Sequence, residues 1–192
     1  MELLEETILI TQARAGCDAS FRALVEEHSP ALLRLGWRLL GNHSDAEDIV
    51  QEAFLRLHRT LVTFRGDSRL GTWLYRTVTR LAIDTMRRER LKRALFFSRK
   101  DNEAADPVEL FADPKPGAES QLIARQQLTV VRQQLRKLSA QQRAVLTLRH
   151  QEQLPLQAIA ELLGISEGTV KTHLHRAVRS LRNALEETEV TP

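Results

Sequence analysis

Gly168, Thr172, His175, Arg176, Arg179 and Asn183 fall on one side of a helical repeat, and Val170, Leu174, Ala177, Val178 and Leu181 fall on the other. Hydroxyl, imidazole and guanidinium groups in the first turns of such a helix have the reach and the donors to read base edges in a major groove. The outer face carries no acid beyond Glu167 at its start. The residues just before it must position that helix. Pro155 opens a shorter helix where its missing N–H is harmless, and Leu156, Ile159, Ala160 and Leu163 give that helix an apolar face. Gly164 supplies the positive φ that reverses the chain, small Ala160 lets the two helices approach closely, and Ser166 caps the second helix. Leu154–Arg182 therefore reads as a helix-turn-helix that enters duplex DNA. A surface hairpin with merely solvated arginines is the plain alternative. The Gly164-Ile165-Ser166 turn and the short polar side chains that follow it tell against that reading.

A second nucleic-acid chemistry is written into residues 64–93. Leu70, Leu74, Thr77, Val78, Leu81 and Thr85 form the inward face of a helix, with Arg76, Thr79, Arg80, Ile83, Arg87 and Arg90 as an outward stripe flanked by Trp73 and Tyr75. From Arg76 to Lys100 there are nine Lys or Arg against Asp84 and Glu89, so a formal net charge of only +3 hides a concentrated basic patch. Aromatic rings beside guanidinium groups offer stacking platforms worth about 1–3 kcal/mol per base, a combination that favours unpaired bases over closed duplex. The loop Phe64-Arg65-Gly66-Asp67-Ser68-Arg69 is short and polar enough to cup one flipped base, with Asp67 and the backbone reading its edge.

The helix starting near Ser44 has a different outer face. Ala46, Ile49, Val50, Ala53, Phe54, Leu57 and Leu61 make its core stripe, while Asp45, Asp48, Gln51, Glu52, Arg56 and Arg59 surround an outward Leu55. A lone exposed Leu is ordinary. An apolar knob ringed by carboxylates and an amide also has the composition of a docking face for a basic partner helix. A metal site at Asp48 and Glu52, or a nuclease built on Asp45, Asp48 and Glu52, is the weaker reading, because carboxylates at i, i+4 commonly pair with neighbours such as Arg56 and Arg59. His173 and His175 are two apart on a helix and diverge, so they make no metal pair.

The elements behind these faces are all helical: sustained period-two alternation is absent over the 192 residues, and helical periodicity recurs throughout. Helices are expected near 7–15, 20–40, 44–62, 70–92, 119–137, 140–152, 155–163 and 167–187. Ser44-Asp-Ala-Glu47 and Ser139-Ala-Gln-Gln142 both match the capping-box pattern. Pro107, Pro114, Pro116 and Gly117 interrupt a stretch whose acids (Asp101, Glu103, Asp106, Glu109, Asp113, Glu119) outnumber Lys115, which reads as a flexible acidic linker between two helical domains. Expected boundaries are 1–93, 94–119 and 120–192. Cys17, the single cysteine, excludes an internal disulfide and is expected to be a small buried filler in a reducing compartment. Neither a signal peptide nor a membrane-spanning apolar run is recognisable, so a cytoplasmic protein without membrane insertion is expected.

Taken in order, these motifs resemble the sigma-70 family of RNA polymerase sigma factors, in its short extracytoplasmic-function (ECF) group. Asp45-Ala-Glu-Asp-Ile-Val-Gln-Glu-Ala-Phe-Leu55 resembles the family's core-polymerase-binding helix. Phe64–Ser68, Trp73-Leu-Tyr-Arg76, Asp84 and Arg87-Arg88 resemble its promoter-melting and −10 segment, and Leu154–Arg182 resembles its −35 reader. The resemblance covers roughly residues 20–93 and 120–186 and implies a two-domain all-α fold with regions 2 and 4. It implies docking of Asp45, Asp48, Gln51, Glu52 and Leu55 on the coiled coil of the polymerase's largest subunit. It implies capture of the −10 strand by Phe64, Arg65, Gly66, Asp67, Ser68, Trp73, Arg76, Arg80, Ile83 and Arg87. Region 4 would sit on the β flap and present Ser166, Gly168, Thr169, Lys171, Thr172, His175 and Arg176 to the −35 duplex, with Arg149 and Arg179 on phosphates. The acidic linker would thread toward the RNA path. Where many relatives carry Asn four residues before the motif's Asp, this chain has Arg80. An anti-sigma partner is implied; a catalytic residue, cofactor or metal is not. The rival within transcription is a LuxR-type regulator, which the segment Ser166–His173 would also suit but which leaves the first ninety residues unexplained.

Overall fold

Residues with high helical periodicity become seven α-helices and one 3-10 turn in a computed structural model that describes residues 3–63, 69–95, 130–131 and 133–189. The helices are α1 (Leu3–Arg14), α2 (Asp18–Leu40), α3 (His43–Thr60), α4 (Leu70–Leu95), α5 (Ala140–His150), α6 (Leu156–Leu163) and α7 (Glu167–Glu189), with the 3-10 turn at Leu61–Thr63. Residues 130, 131 and 133–137 are also helical, and no strand occurs among the described residues. The loop Phe64–Ser68, most of the expected linker and the first half of the expected 119–137 helix lie outside them.

In the N-terminal module α2 is the central element, packed by α1, α3 and α4. It stops at Gly41, whose φ of 71° lets its N–H reach back to the Trp37 carbonyl. The tight return into α3 is held by Asn42, whose side chain accepts from the Ser44 and Asp45 amides at 2.9 and 3.4 Å. The cap of α3 is thus Asn42 rather than Ser44: the helix begins two residues earlier, and the Asn42 oxygen takes the orphan amides of Ser44 and Asp45. Gly36 faces Ala46 so closely that a Cβ there would stand 3.2 Å from the Ala46 Cβ, which is how α2 and α3 approach. Leu24, Leu35, Leu39, Leu57, Leu70, Leu74 and Val78 are fully buried between these helices. The whole expected core stripe of α3, from Ala46 to Leu61, is buried.

In the C-terminal module α5 begins at a capping box. Ser139 Oγ accepts from the Gln142 amide at 3.2 Å and Gln142 Oε1 accepts from the Ser139 amide at 2.9 Å. Ser139→Ala should cost about 1 kcal/mol of stability, read as a lowered midpoint in urea unfolding with an unchanged slope. Pro155 sits one position earlier than expected, as the N-cap of α6. Gly164 at φ 68° closes α6, with the Ile165 amide returning to the Ala160 carbonyl at 3.0 Å, and Ser166 Oγ accepts from the Thr169 amide at 3.1 Å to start α7. Val170 and Ala177 are fully buried against α5 and α6.

The two modules pack on one another. α5 and α6 lie against α4, and α5 also touches α2, so that Ala144, Val145, Leu148 and Ile159 share one continuous apolar core with Leu81, Ala82 and Ile83. This contact overturns part of the expected outward stripe of α4. Ile83 is 7% exposed and Thr79 is wholly buried, its hydroxyl donating to the Tyr75 carbonyl. The sequence periodicity of α4 shows two apolar-compatible faces, and the C-terminal module covers the second. Cys17 is also corrected: it is exposed at the N-cap of α2, where the Ser20 hydroxyl holds its thiol below the usual range. No described helix is long and apolar enough to cross a membrane.

Candidate polymerase and nucleic-acid surfaces

Three surfaces emerge from this packing. On α3, burying Ala46, Ile49, Val50, Ala53, Phe54 and Leu57 forces Leu55 outward, where it is 46% exposed. Asp48 and Gln51 lie exposed beside it, Asp45 and Glu52 half-buried. Glu52 Oε1 accepts from Arg56 Nε at 2.7 Å, the i, i+4 surface pair expected from the spacing. The face is an apolar centre with an acidic rim, held on a rigid helix.

On α4, Arg80, Arg87 and Arg90 are exposed, Trp73 and Arg76 half-buried. Arg87 Nη1 stands 3.6 Å from Asp84, a solvated pair that leaves the arginine available. Arg76 faces a cleft of about 500 Å³ between the modules, walled by Thr72, Tyr75, Glu152, Leu154 and Leu162. Among the described residues of this expected surface, the structure removes Ile83 and, one turn before it, Thr79 from solvent. Sequence reasoning also missed that Tyr75 is engaged: its hydroxyl donates to Glu152 Oε2 at 2.6 Å, and burial, then that carboxylate, push the phenol above its usual range.

On α7, Gly168, Lys171, Thr172, His175, Arg176 and Arg179 are all exposed on one face, and Ser166 stands exposed at its cap. Thr169 is half-buried, its hydroxyl in contact with Ser166. Thr172 Oγ1 donates to the Gly168 carbonyl at 2.9 Å, which fixes the hydroxyl's lone pairs outward. Lys171 lies 3.7 Å from Glu167, both well exposed. His173 turns inward instead, and its pKa is lowered by burial and then by Arg176. Arg149, expected on phosphate, is half-buried and donates to the Leu154 carbonyl at 3.0 Å, holding the turn between α5 and α6.

Residues 24–92 match the family model for sigma-70 region 2, and residues 128–181 match that for sigma-70 region 4. The chain is 31% identical over 176 residues to the ECF RNA polymerase sigma factor SigW of Bacillus subtilis, covering 92% of this chain and 94% of that protein. The chain belongs to the sigma-70 family, in its ECF group. A second ECF sigma factor, SigL of Mycobacterium tuberculosis, is 33% identical over 183 residues, covering 95% of this chain and 98% of its own. Two solved structures share the fold: CnrH in complex with the cytosolic domain of CnrY (TM-score 0.59, 24% identity, 95% of this chain and 98% of that one), and the sigma factor RpoE in complex with the anti-sigma factor NepR from Bartonella quintana (TM-score 0.57, 22% identity, 90% and 98%). As an RNA polymerase sigma factor this chain directs transcription initiation and is not an enzyme. The region 2 match accounts for the residues that a LuxR-type regulator leaves without a role.

Proposed function

We propose that this ECF sigma factor divides its work among the three surfaces just described. The α3 face of Asp45, Asp48, Gln51, Glu52 and Leu55 docks on the coiled coil of the polymerase's largest subunit, the apolar knob giving affinity and the acids giving orientation. The carrying observation is the outward Leu55 on a helix whose opposite stripe is wholly buried. On α4, Trp73, Arg76, Arg80 and Arg87, with the residues Phe64–Ser68 before them, capture unpaired −10 bases. Ile83 joins this surface only when the C-terminal module moves away. Binding energy from that capture, rather than nucleotide hydrolysis, opens the duplex.

In region 4, Lys171, Thr172, His175 and Arg176 read −35 base edges from the major groove, Arg179 neutralises phosphate, and Ser166, Gly168 and Thr169 set the helix start against the backbone. The module rests on the β flap, and the acidic segment between the modules runs toward the RNA path. Boundaries of 1–93, 94–119 and 120–192 follow from these roles. A cytoplasmic location and restraint by an anti-sigma factor fit the reading; the RpoE structure of the same fold is a complex with an anti-sigma factor.

Run-off transcription with purified core polymerase on a randomised promoter library tests it. Core enzyme with this chain alone should start transcription at a subset sharing a −35 and a −10 element. Starts only when another specificity factor is added would make the chain a regulator.

A further inference from the structure

Glu152 follows α5 in the turn that leads to α6, and its carboxylate points across to the N-terminal module. One oxygen accepts from Arg38 Nη1 of α2 at 2.6 Å and the other from the Tyr75 hydroxyl of α4 at 2.6 Å. Arg38 Nη1 also lies 3.3 Å from the Gln151 carbonyl. The Glu152 and Arg38 side chains keep only 16% and 29% of their exposure, so the pair is charge-assisted and largely withdrawn from water. Gln153 takes a left-handed φ of 54°, uncommon for a residue with a Cβ, which turns the chain so that Glu152 faces α2 and α4. Around this polar centre the apolar contact of Ile83 with the α5 and α6 core closes, and the Arg80 guanidinium comes beside Gly164, within 3.7 Å of where a Cβ would stand. The turn of the −35 reader thus lies over the α4 stripe. The outer face of α7 stays open.

We propose that Glu152 is an intramolecular latch that holds region 4 over the α4 surface, so that the factor without polymerase withholds Ile83 and Arg76 of its −10 surface while leaving its −35 surface open. This rests on the assignment of α4 to the −10 strand. Closure covers Ile83, confines Arg76 to the cleft beside Glu152 and sets Gly164 beside Arg80, so a DNA strand can engage the complete α4 row only after α5 and α6 leave. The apparent affinity for that strand is then reduced by the fraction of molecules that are open. Docking of the two modules at separate places on polymerase supplies the work of opening. Losing one partner of the pair leaves the other charge buried and unpaired, which penalises the closed form alone.

The test uses the full chain. Glu152→Arg sets two guanidinium groups against each other, and the double variant Glu152→Arg with Arg38→Glu restores an opposite pair with the signs exchanged. X-ray scattering should give the wild type and the double variant a radius of gyration near the roughly 16 Å of a compact chain of this length, and the single variant a clearly larger one at the same circular-dichroism helix content. Binding of a fluorescent single-stranded −10 oligonucleotide should rise about tenfold in the single variant and return in the double one, while affinity for a −35 duplex stays constant. An unchanged radius for Glu152→Arg, or no recovery in the double variant, would overturn the latch. Expansion without a gain in single-strand binding would overturn the withholding role of closure, and the run-off assay separates that outcome from a failure of the sigma-factor assignment of surfaces.

Discussion

Leu55→Asp should weaken binding to core polymerase by about 30-fold or more, which corresponds to roughly 2 kcal/mol at a central apolar contact. The side chain is 46% exposed in the free protein, and every neighbour on the opposite stripe of α3 is buried without its help. Substitution there leaves the helix its caps and its core, so unfolding stability should move by no more than about 0.5 kcal/mol. The binding loss has two sources. The apolar area that the partner covers disappears, and a new carboxylate must be desolvated among Asp48, Gln51 and Glu52, adding like-charge repulsion. Ile8→Asp is the matching control, a 50% exposed apolar residue on α1, away from this face. Titration of labelled protein with core enzyme reads both. Equal affinities for Leu55→Asp and wild type would remove α3 from the interface, and loss in both variants would point to a general effect of surface charge.

What the sequence made readable, and what it hid, has a physical pattern. Wherever one helix faces a core within its own module, the apolar stripe specified both faces: α3 turns Leu55 out, and α7 turns Thr172, His175, Arg176 and Arg179 out. Local cap chemistry was equally readable at Ser139, Gly164 and Ser166, because those hydrogen bonds span at most four residues. The exception at the start of α3 is of the same kind, since Asn42 and Ser44 are both good caps and only the three-dimensional turn after Gly41 decides between them. The second face of α4 was not readable. Ile83 among arginines has the pattern of an exposed apolar residue, and its burial comes from α5 and α6, more than fifty residues later in the chain. The internal bonds of Tyr75 and Arg149 were unreadable for the same reason: an aromatic ring or a guanidinium group beside a binding surface can also engage an acceptor within the fold, here Glu152 and the Leu154 carbonyl.

The same contrast separates the two DNA surfaces by how each is controlled. On the proposed assignment, region 4 keeps Thr172, His175, Arg176 and Arg179 exposed in the closed arrangement, so selectivity at −35 should depend on α7 alone. Region 2 presents Arg80 and Arg87 but keeps Ile83 covered, so on the same assignment reading at −10 should depend on the relation between modules. Mutations at −35 positions should therefore act additively with those at Glu152, whereas mutations on α4 should not, because the latter share a contact with the closing element.

Arg176→Ala is expected to lower affinity for the preferred −35 duplex by about 1–3 kcal/mol, and to flatten the preference at a single base position rather than across the site. Arg176 is exposed on the third turn of α7, beside His175 and one turn beyond Thr172, where a guanidinium can place two donors on one guanine edge. The neighbouring charges distinguish it from a backbone clamp. Lys171 shares its charge with Glu167, and Arg179 lies further along the helix, where the groove wall of phosphates is nearer than the bases. Arg179→Ala should weaken all sequences alike and reduce the salt dependence by about one counterion, leaving the order of preferred sites intact. Competition binding on a library with each −35 position randomised, repeated at two salt concentrations, separates the two effects. If Arg176→Ala instead lowers every sequence equally and softens the salt slope, its guanidinium contacts phosphate, and base reading at −35 falls to Thr172 and His175, whose single hydrogen bonds carry less discrimination than a two-donor fork.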